Sequence, residues 1–164
     1  IRPIVAGGGQ QGGLRSGTEN TSGIAGMVAA VQSYPSDAME RMRSLKKLLL
    51  SLLTEALPET TVAGLPVDDP MSAGHILNVA FPPVRAETLL HALEADGICV
   101  GTGSACSSKK GRRSPVLTAM HLPPQVMDSA IRISLCPFNT GEEMHYTAEK
   151  IIERVGQLRR FTRR

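Results

Sequence analysis

Four short apolar segments, separated by stretches of helical periodicity, constrain the fold of this chain more than any other feature of its sequence. Each segment is short, aliphatic and bounded by turn residues, and such segments form strands. The predicted strands cover residues 60–63, 76–81, 98–100 and 130–135. An apolar sheet face must be buried, and the intervening helices can bury it. The pattern predicts the α/β class, with a small sheet of about four strands covered by helices.

Capping residues indicate where the helices begin and end. Helices are predicted over 22–32, from 37 to about 57, over 86–96, from 114 to about 121, and from 140 towards the end of the chain. Asp37 with Glu40, and Thr140 with Glu143, have the spacing of a capping box at a helix N-terminus. Gly97 suits the left-handed C′ position that ends a helix.

The composition limits the classes of function. The 164 residues suffice for one domain with a real core, and 41% hydrophobic but only 3% aromatic residues predict an aliphatic core. The net charge is +3, yet without Trp, and with two Tyr and three Phe, the chain lacks a stacking platform for single-stranded nucleic acid. We therefore expect no direct nucleic-acid partner. No signal peptide or membrane span is visible, so no membrane contact is expected either.

Three cysteines, at positions 99, 106 and 136, indicate the compartment. Their number is odd and no CxxC pair is present, which argues against a disulfide framework and against a zinc site. We expect no metal and a cytoplasmic location, where thiols stay reduced.

Cys106 has the surroundings expected of a reactive thiol. It follows the apolar run Ile98-Cys99-Val100 and lies among Gly, Ser, Ala and Thr, none of which is large enough to bury it. Gly101 and Gly103 are expected to allow positive φ angles. The sequence predicts a sulfur nucleophile on a flexible loop at a strand end, whereas Cys99 fits a buried structural cysteine.

Four cations follow Cys106 and would favour its thiolate form. They are Lys109, Lys110, Arg112 and Arg113.

The first 23 residues are rich in glycine and form no regular pattern. Gly7-x-Gly9-x-x-Gly12 satisfies a dinucleotide-binding spacing, but another turn-rich segment follows where that motif requires a helix. A loop with free amide groups and hydroxyls remains, which could hold a phosphate or serve as a linker.

Three motifs resemble the cysteine desulfurases, pyridoxal-phosphate (PLP) enzymes of the aminotransferase class V superfamily. The segment 103–108, Gly-Ser-Ala-Cys-Ser-Ser, is similar to their active-site loop. The segments 7–10 and 14–20 resemble their phosphate-contacting loop, and 131–134 with 138–143 resembles their substrate-carboxylate motif. The motifs occur in the family's order across nearly the whole chain, but they match only the C-terminal half of the family.

The resemblance implies a fold-type I PLP enzyme and a role for each matching residue. Cys106 would be the catalytic nucleophile, and Arg132 would hold the substrate carboxylate with its planar guanidinium. Thr18, with Ser16 and Gly17, would bind the cofactor phosphate, in this family usually that of the partner subunit. Residues 1–35 would be the phosphate loop and connecting helix of the large domain, and 36–164 the small C-terminal domain with the cysteine loop. The lysine that binds PLP would lie upstream, so this chain is expected to be inactive alone.

The implied reaction converts L-cysteine to L-alanine and leaves a persulfide on Cys106. The partners implied are a sulfur-acceptor protein, either an iron–sulfur scaffold or a tRNA-thiolation enzyme, and a second copy of the complete enzyme in a homodimer. Three alternatives stay open: a selenocysteine lyase, another class V enzyme, or a cofactor-free thiol or sulfur-carrier domain.

Overall fold

The computed structural model describes residues 2–103 and 113–162. A 3₁₀ turn at Gln10–Gly13 precedes the regular elements of these residues. In chain order they are α1 (Thr21–Gln32), α2 (Ala38–Ala56), β1 (Thr61–Val62), β2 (Ile76–Ala80), α3 (Ala86–Glu94), β3 (Gly101–Thr102), α4 (Pro115–Ala119), α5 (Pro124–Ser129), β4 (Ala130–Ser134) and α6 (Gly141–Thr162). Among the described helices, none is long and apolar enough to cross a bilayer.

The chain divides into two compact units, with the boundary between Pro35 and Ser36. The first unit holds the glycine-rich loop and α1, a helix that buries none of its residues. The second unit holds the whole sheet and the remaining helices. The assignment of these units to the large and small domains of a longer enzyme stays a prediction.

The second unit is built on a four-stranded antiparallel sheet with the strand order β1-β2-β4-β3. β2 and β4 are the central strands, and they pair over five residues each, from Ile76 opposite Ser134 to Ala80 opposite Ala130. The predicted α/β class, with a sheet of about four strands covered by helices, is confirmed.

Helices cover both faces of the sheet. On one face Leu77, Val79, Ile131 and Ile133 join a core with apolar residues of α2, α3 and α6. On the other face Ala80 and Ala130 pack with Leu117 of α4 and Val126 of α5. This second cluster covers only one end of the face. The next pair on the same face of β2 and β4 is polar and consists of Asn78 and Arg132.

Two predicted helix boundaries form as expected. The Thr140 hydroxyl accepts from the Glu143 amide at 3.2 Å, and the Glu143 carboxylate accepts from the Thr140 amide at 3.0 Å, which completes a capping box. Gly97 has a φ of 77°. Its amide donates to the Glu94 carbonyl at 3.0 Å, and the Ile98 amide donates to the Leu93 carbonyl at 2.9 Å, as in a Schellman motif.

Two other predictions need correction, and one helix was not predicted. The strand expected at 98–100 lies instead at Gly101–Thr102, because the Ile98 amide is used to end α3. The capping box expected at Asp37 does not form, since Asp37 has φ −94° and ψ 5° rather than the extended backbone that brings a capping side chain onto the helix amides. Helix α5 was not predicted, because its six residues are too few for a periodic pattern.

Candidate active site

Arg132 lies in the middle of the central strand β4, on the face of the sheet that is only partly covered. Residues alternate in burial along this strand, with Ile131 and Ile133 in the core and Arg132 exposed between them. The guanidinium makes no hydrogen bond or ion pair with any residue that the structure describes. A planar group with five donors, none of them bonded to a described residue, is suited to bind a carboxylate from solution.

Gly101 of β3 lies directly opposite Arg132 and leaves room for its side chain. A Cβ atom built at Gly101 would stand 3.1 Å from Nη2 and 3.5 Å from Cζ of Arg132. Because the guanidinium lies over this glycine, a side chain there would push it away. Neither Gly101 nor Gly103 has a positive φ, so the expectation that they serve for left-handed backbone is wrong; they serve for close approach.

Gly103 and Ser114, the two residues that flank the cysteine-bearing segment 104–113, lie close together. A Cβ atom at Gly103 would stand 2.7 Å from Cβ of Ser114, so the chain leaves and re-enters the described structure at neighbouring positions. Ser114 then caps α4 by accepting from the Leu117 amide at 3.4 Å, as its position before Pro115 predicts. Since β3 pairs with β4 beside Arg132, the segment starts next to the guanidinium.

Arg113 anchors the far end of the same segment to α5. It donates to both carboxylate oxygens of Asp128, from Nε at 2.9 Å and from Nη2 at 3.1 Å. These hydrogen bonds lower the pKa of Asp128 and raise that of Arg113. Arg113 was expected to support the thiolate of Cys106, but its charge is offset by this carboxylate. Its role in the structure is to fix the end of the segment.

The described structure includes only two of the three cysteines. Cys106 lies outside the described residues, together with Lys109, Lys110 and Arg112. Cys99 and Cys136 are free and exposed. The expectation that Cys99 is buried is therefore wrong: because the strand begins at Gly101, the residue stands in the connection between α3 and β3 rather than inside the sheet.

The predicted phosphate-binding residues lie together in the first unit. Ser16 is buried, and its hydroxyl donates to the Gly8 carbonyl at 2.6 Å. The amide of Gly17, at a φ of 104°, donates to Gln10 Oε1 at 3.2 Å. Thr18 is exposed, and its hydroxyl has no partner among the described residues. Of the three, Thr18 thus has the side chain that is available to a ligand.

Sequence reasoning missed two polar residues with unusual surroundings. Asn78 on β2 faces Arg132, and its Oδ1 atom is buried without a hydrogen-bond partner. Lys46 on α2 is 4% exposed and donates to Ser72 Oγ at 2.8 Å and to the Ala73 carbonyl at 3.0 Å. Burial lowers the pKa of Lys46. Asn78 could be recognised only from the strand pairing that places it opposite Arg132, and this pairing cannot be read from the sequence.

No metal centre is evident in the described ranges. Within residues 2–103 and 113–162, no group of three or more His, Cys, Asp or Glu side chains is placed to hold an ion.

The site therefore combines a guanidinium that has no partner among the described residues with two nearby chain positions, Gly103 and Arg113, between which the sequence places Cys106. The family model for aminotransferase class-V matches residues 8–146. The chain belongs to this family.

Within this family, the chain is similar to proteins named as cysteine desulfurases and NifS homologues. The chain is 35% identical, over 99% of its length, to a cysteine desulfurase IscS of Methanosarcina thermophila. It is 38% identical, over 87% of its length, to a NifS/IcsS protein homolog of Lactobacillus delbrueckii subsp. bulgaricus. It spans about 40% of the first relative and 37% of the second.

Solved structures agree with this similarity. A NifS-like protein matches 96% of the chain with a TM-score of 0.79 and 38% identity. A NifS-like protein from Rickettsia africae matches the same share with a TM-score of 0.73 and 27% identity. In both cases the chain covers 40% of the solved protein. The predicted relation to the NifS and IscS homologues of class V is confirmed.

Proposed function

We propose that the chain is the C-terminal part of a PLP-dependent cysteine desulfurase, which converts L-cysteine to L-alanine and leaves the sulfur on Cys106 as a persulfide. The persulfide sulfur then passes to an acceptor protein that serves iron–sulfur cluster assembly or tRNA thiolation. The complete enzyme works as a homodimer in the cytoplasm. The similarity to proteins named cysteine desulfurases supports the assignment of the reaction.

The observation that carries the proposal is that the Arg132 guanidinium has no partner among the described residues and lies on the strand next to β3, just before the cysteine-bearing part of the sequence. An amino-acid substrate carries a carboxylate, and the planar guanidinium of Arg132 can donate to both of its oxygens at once. Its position on a central strand, with Gly101 opposite, fixes where the carboxylate would lie. The segment that begins at Gly103 can then bring a thiolate to the substrate's sulfur atom.

The first unit has a suitable place for the phosphate group of PLP. The Thr18 hydroxyl is exposed and unpaired among the described residues, and the neighbouring backbone is held by the bonds from Ser16 to Gly8 and from Gly17 to Gln10. These bonds use the Ser16 hydroxyl and the Gly17 amide to hold the loop, and they leave the Thr18 hydroxyl to donate to a phosphate. PLP, when bound, supplies the electron sink that makes the substrate's carbon–sulfur bond breakable.

The described lysines do not offer an obvious attachment point for PLP. Lys46 is buried and hydrogen-bonded, Lys47 pairs with Asp68, and Lys150 pairs with Glu153 at 3.2 Å. Because the chain also resembles only the C-terminal part of its relatives, we infer that the lysine of the complete enzyme lies upstream and that these 164 residues alone do not turn over cysteine.

In the proposed sulfur transfer the Cys106 thiolate attacks the sulfur of the bound cysteine. A sulfur–sulfur bond forms while the carbon–sulfur bond breaks, and the electron pair of the broken bond stays with the carbon fragment. That fragment takes up a proton and leaves as alanine. A thiolate is required because it, and not the thiol, is the nucleophile. Arg132 keeps the carboxylate in place through the step, so that the substrate's sulfur stays within reach of Cys106.

The test uses the complete enzyme with Cys106→Ser and, as the matched control, Cys99→Ser. We expect the Cys106 variant to bind PLP with the wild-type visible absorbance but to lose alanine release and the persulfide mass increment. The control variant should keep both, since Cys99 is an exposed thiol that precedes residues 103–108, the motif that resembles the active-site loop of the family. Near-normal alanine release by Cys106→Ser would remove the residue from the reaction.

Two further results would replace the proposed function by an alternative. Turnover of L-selenocysteine without turnover of L-cysteine would assign a selenocysteine lyase. Sulfur carriage by a complete protein that binds no PLP would assign a cofactor-free sulfur carrier.

A further inference from the structure

Asn78 combines two properties that require an explanation. Its Oδ1 atom is buried and makes no hydrogen bond with any described residue. A buried acceptor without a partner costs free energy, and such atoms are rare in native proteins. The residue stands on β2 directly opposite Arg132 of β4, whose donors have no partner among the described residues. The Asn78 Oδ1 acceptor thus stands opposite the guanidinium donors of Arg132, and neither group has a partner among the described residues.

The strand register brings these two side chains close. The Leu135 amide donates to the His75 carbonyl at 2.8 Å, so His75 and Leu135 form a hydrogen-bonded pair. Pairs alternate along an antiparallel ladder, which makes Asn78 and Arg132 a non-hydrogen-bonded pair. Side chains in such pairs are the closest in a sheet, with Cβ atoms about 4.5–5.5 Å apart.

Both side chains lie on the partly covered face of the sheet. Leu77 and Val79, which flank Asn78, are in the core, as are the two neighbours of Arg132. Gly101, Arg132 and Asn78 therefore form a row across three strands. In the described structure the guanidinium lies over Gly101, on the side away from Asn78.

We propose that Asn78 is a positioning residue for Arg132: its Oδ1 accepts a hydrogen bond from the guanidinium when a carboxylate binds. This bond takes up one N–H group of the guanidinium on the side of β2. The remaining N–H groups are then directed towards the carboxylate. The side-chain amide nitrogen of Asn78 is then free to donate to an oxygen of the bound carboxylate. The substrate class is an α-amino acid, recognised by its carboxylate. The inference rests on the proposed function for the identity of that amino acid but not for carboxylate binding itself.

The first experiment measures carboxylate binding without any enzyme activity. The 164-residue chain, labelled with ¹⁵N, is titrated with sodium acetate against sodium chloride of equal ionic strength, and the Arg132 Nε–H and Asn78 side-chain amide signals are followed. In the wild type both signals should move with one common affinity. In Asn78→Leu the acetate affinity should fall about tenfold, the effect of losing one hydrogen bond to a charged group. Asn78→Val serves in its place if the leucine variant does not fold.

The matched control is Thr102→Val. Thr102 Oγ1 is also buried without a partner, but Thr102 pairs with Ile131 and so lies on the opposite, core-facing side. This variant removes the same kind of unpartnered atom and should leave the acetate affinity unchanged. An equal loss of affinity in both variants, or none in Asn78→Leu, would overturn the proposal. So would an Arg132 signal that does not respond to acetate.

The second experiment uses the complete enzyme and a double-mutant cycle. Asn78→Leu should raise KM for L-cysteine about tenfold and change kcat less, since the residue acts on the carboxylate. In an Arg132→Met background the same substitution should change KM by less than about threefold, because position 132 then has no side-chain donor for Oδ1. Additive effects would contradict positioning through Arg132. A wild-type enzyme that releases no alanine would refute the proposed function alone and leave the acetate result standing.

Discussion

Asp96, at the end of α3, and Arg154, in α6, form a bidentate ion pair. Arg154 donates from Nε to Oδ2 at 2.7 Å and from Nη2 to Oδ1 at 2.6 Å. The Tyr146 hydroxyl of the same helix donates to the Asp96 carbonyl at 3.1 Å. Asp96 immediately precedes Gly97, where the chain turns from α3 towards β3. These contacts fix to α6 the stretch of chain that leads into the candidate active site.

This pair predicts a specific loss of stability in acid. The hydrogen bonds from Arg154 lower the pKa of Asp96 below its ordinary value of 3.8. A carboxyl whose pKa is lower in the folded state stabilises the fold above the ordinary pKa and loses this contribution as the pH falls through the folded value. We expect Asp96→Asn to lower the free energy of unfolding by a constant amount above about pH 5, and by less and less below pH 3.8.

Urea unfolding of the 164-residue chain between pH 2 and pH 7 measures this dependence. The control is Glu149→Gln, which makes the same change in net charge on α6, the helix of Arg154, at a carboxylate without an ion-pair partner among the described residues. An equal pH dependence in the two variants would show that net charge, and not the Asp96–Arg154 pair, is responsible.

The two helix N-termini predicted alike from sequence should respond differently to mutation. Thr140→Ala removes a hydroxyl that accepts from the Glu143 amide and should lower the free energy of unfolding by about 1 kcal/mol. Asp37→Ala removes a side chain that makes no capping bond, so its cost should be limited to the charge interaction with the helix end. In 1 M NaCl, which screens exposed charges, the cost of Asp37→Ala should almost vanish while that of Thr140→Ala remains. Equal costs in high salt would contradict the observed capping geometry.

The thiols should not be protected from reagents by the fold. Because Cys99 and Cys136 are both exposed, we expect each to react with iodoacetamide in the native chain at a rate within about tenfold of its rate in 6 M guanidinium chloride. Peptide mass spectrometry after timed quenching gives each rate separately. A Cys99 that reacts only after unfolding would restore the buried position expected from its apolar neighbours.

The two glycines of the active-site segment should differ in their effect on stability and on binding. Gly101→Ala places a Cβ 3.1 Å from Nη2, the mobile end of Arg132, so the guanidinium can move at little cost in stability but with weaker binding of acetate. Gly103→Ala places a Cβ 2.7 Å from Cβ and 3.8 Å from Cα of Ser114, where only a backbone shift gives relief. We expect this second variant to lose about 1–3 kcal/mol of unfolding free energy. Thermal unfolding and the acetate titration, applied to both variants, separate the two effects.

The sequence predicted helix ends correctly where only neighbouring residues determine them. The Thr140–Glu143 capping box and the Gly97 turn formed as predicted, because each involves only neighbouring residues. Asp37 has the same spacing to Glu40 and fails, since its backbone dihedral angles differ. The strand near Cys99 begins three residues late because the end of α3 uses an amide that the strand would need.

The sequence by itself determined the class of fold, the motifs shared with the cysteine desulfurases and the candidate roles of Cys106, Arg132 and Thr18. These depend on residue type and on local spacing, which a sequence contains. The tertiary structure alone decided that Gly101 and Asn78 stand on either side of Arg132, because this row joins residues 31 and 54 positions away from Arg132 through strand pairing. Register is a property of the assembled sheet, in which every strand must bury its apolar face at once, and no single segment specifies it.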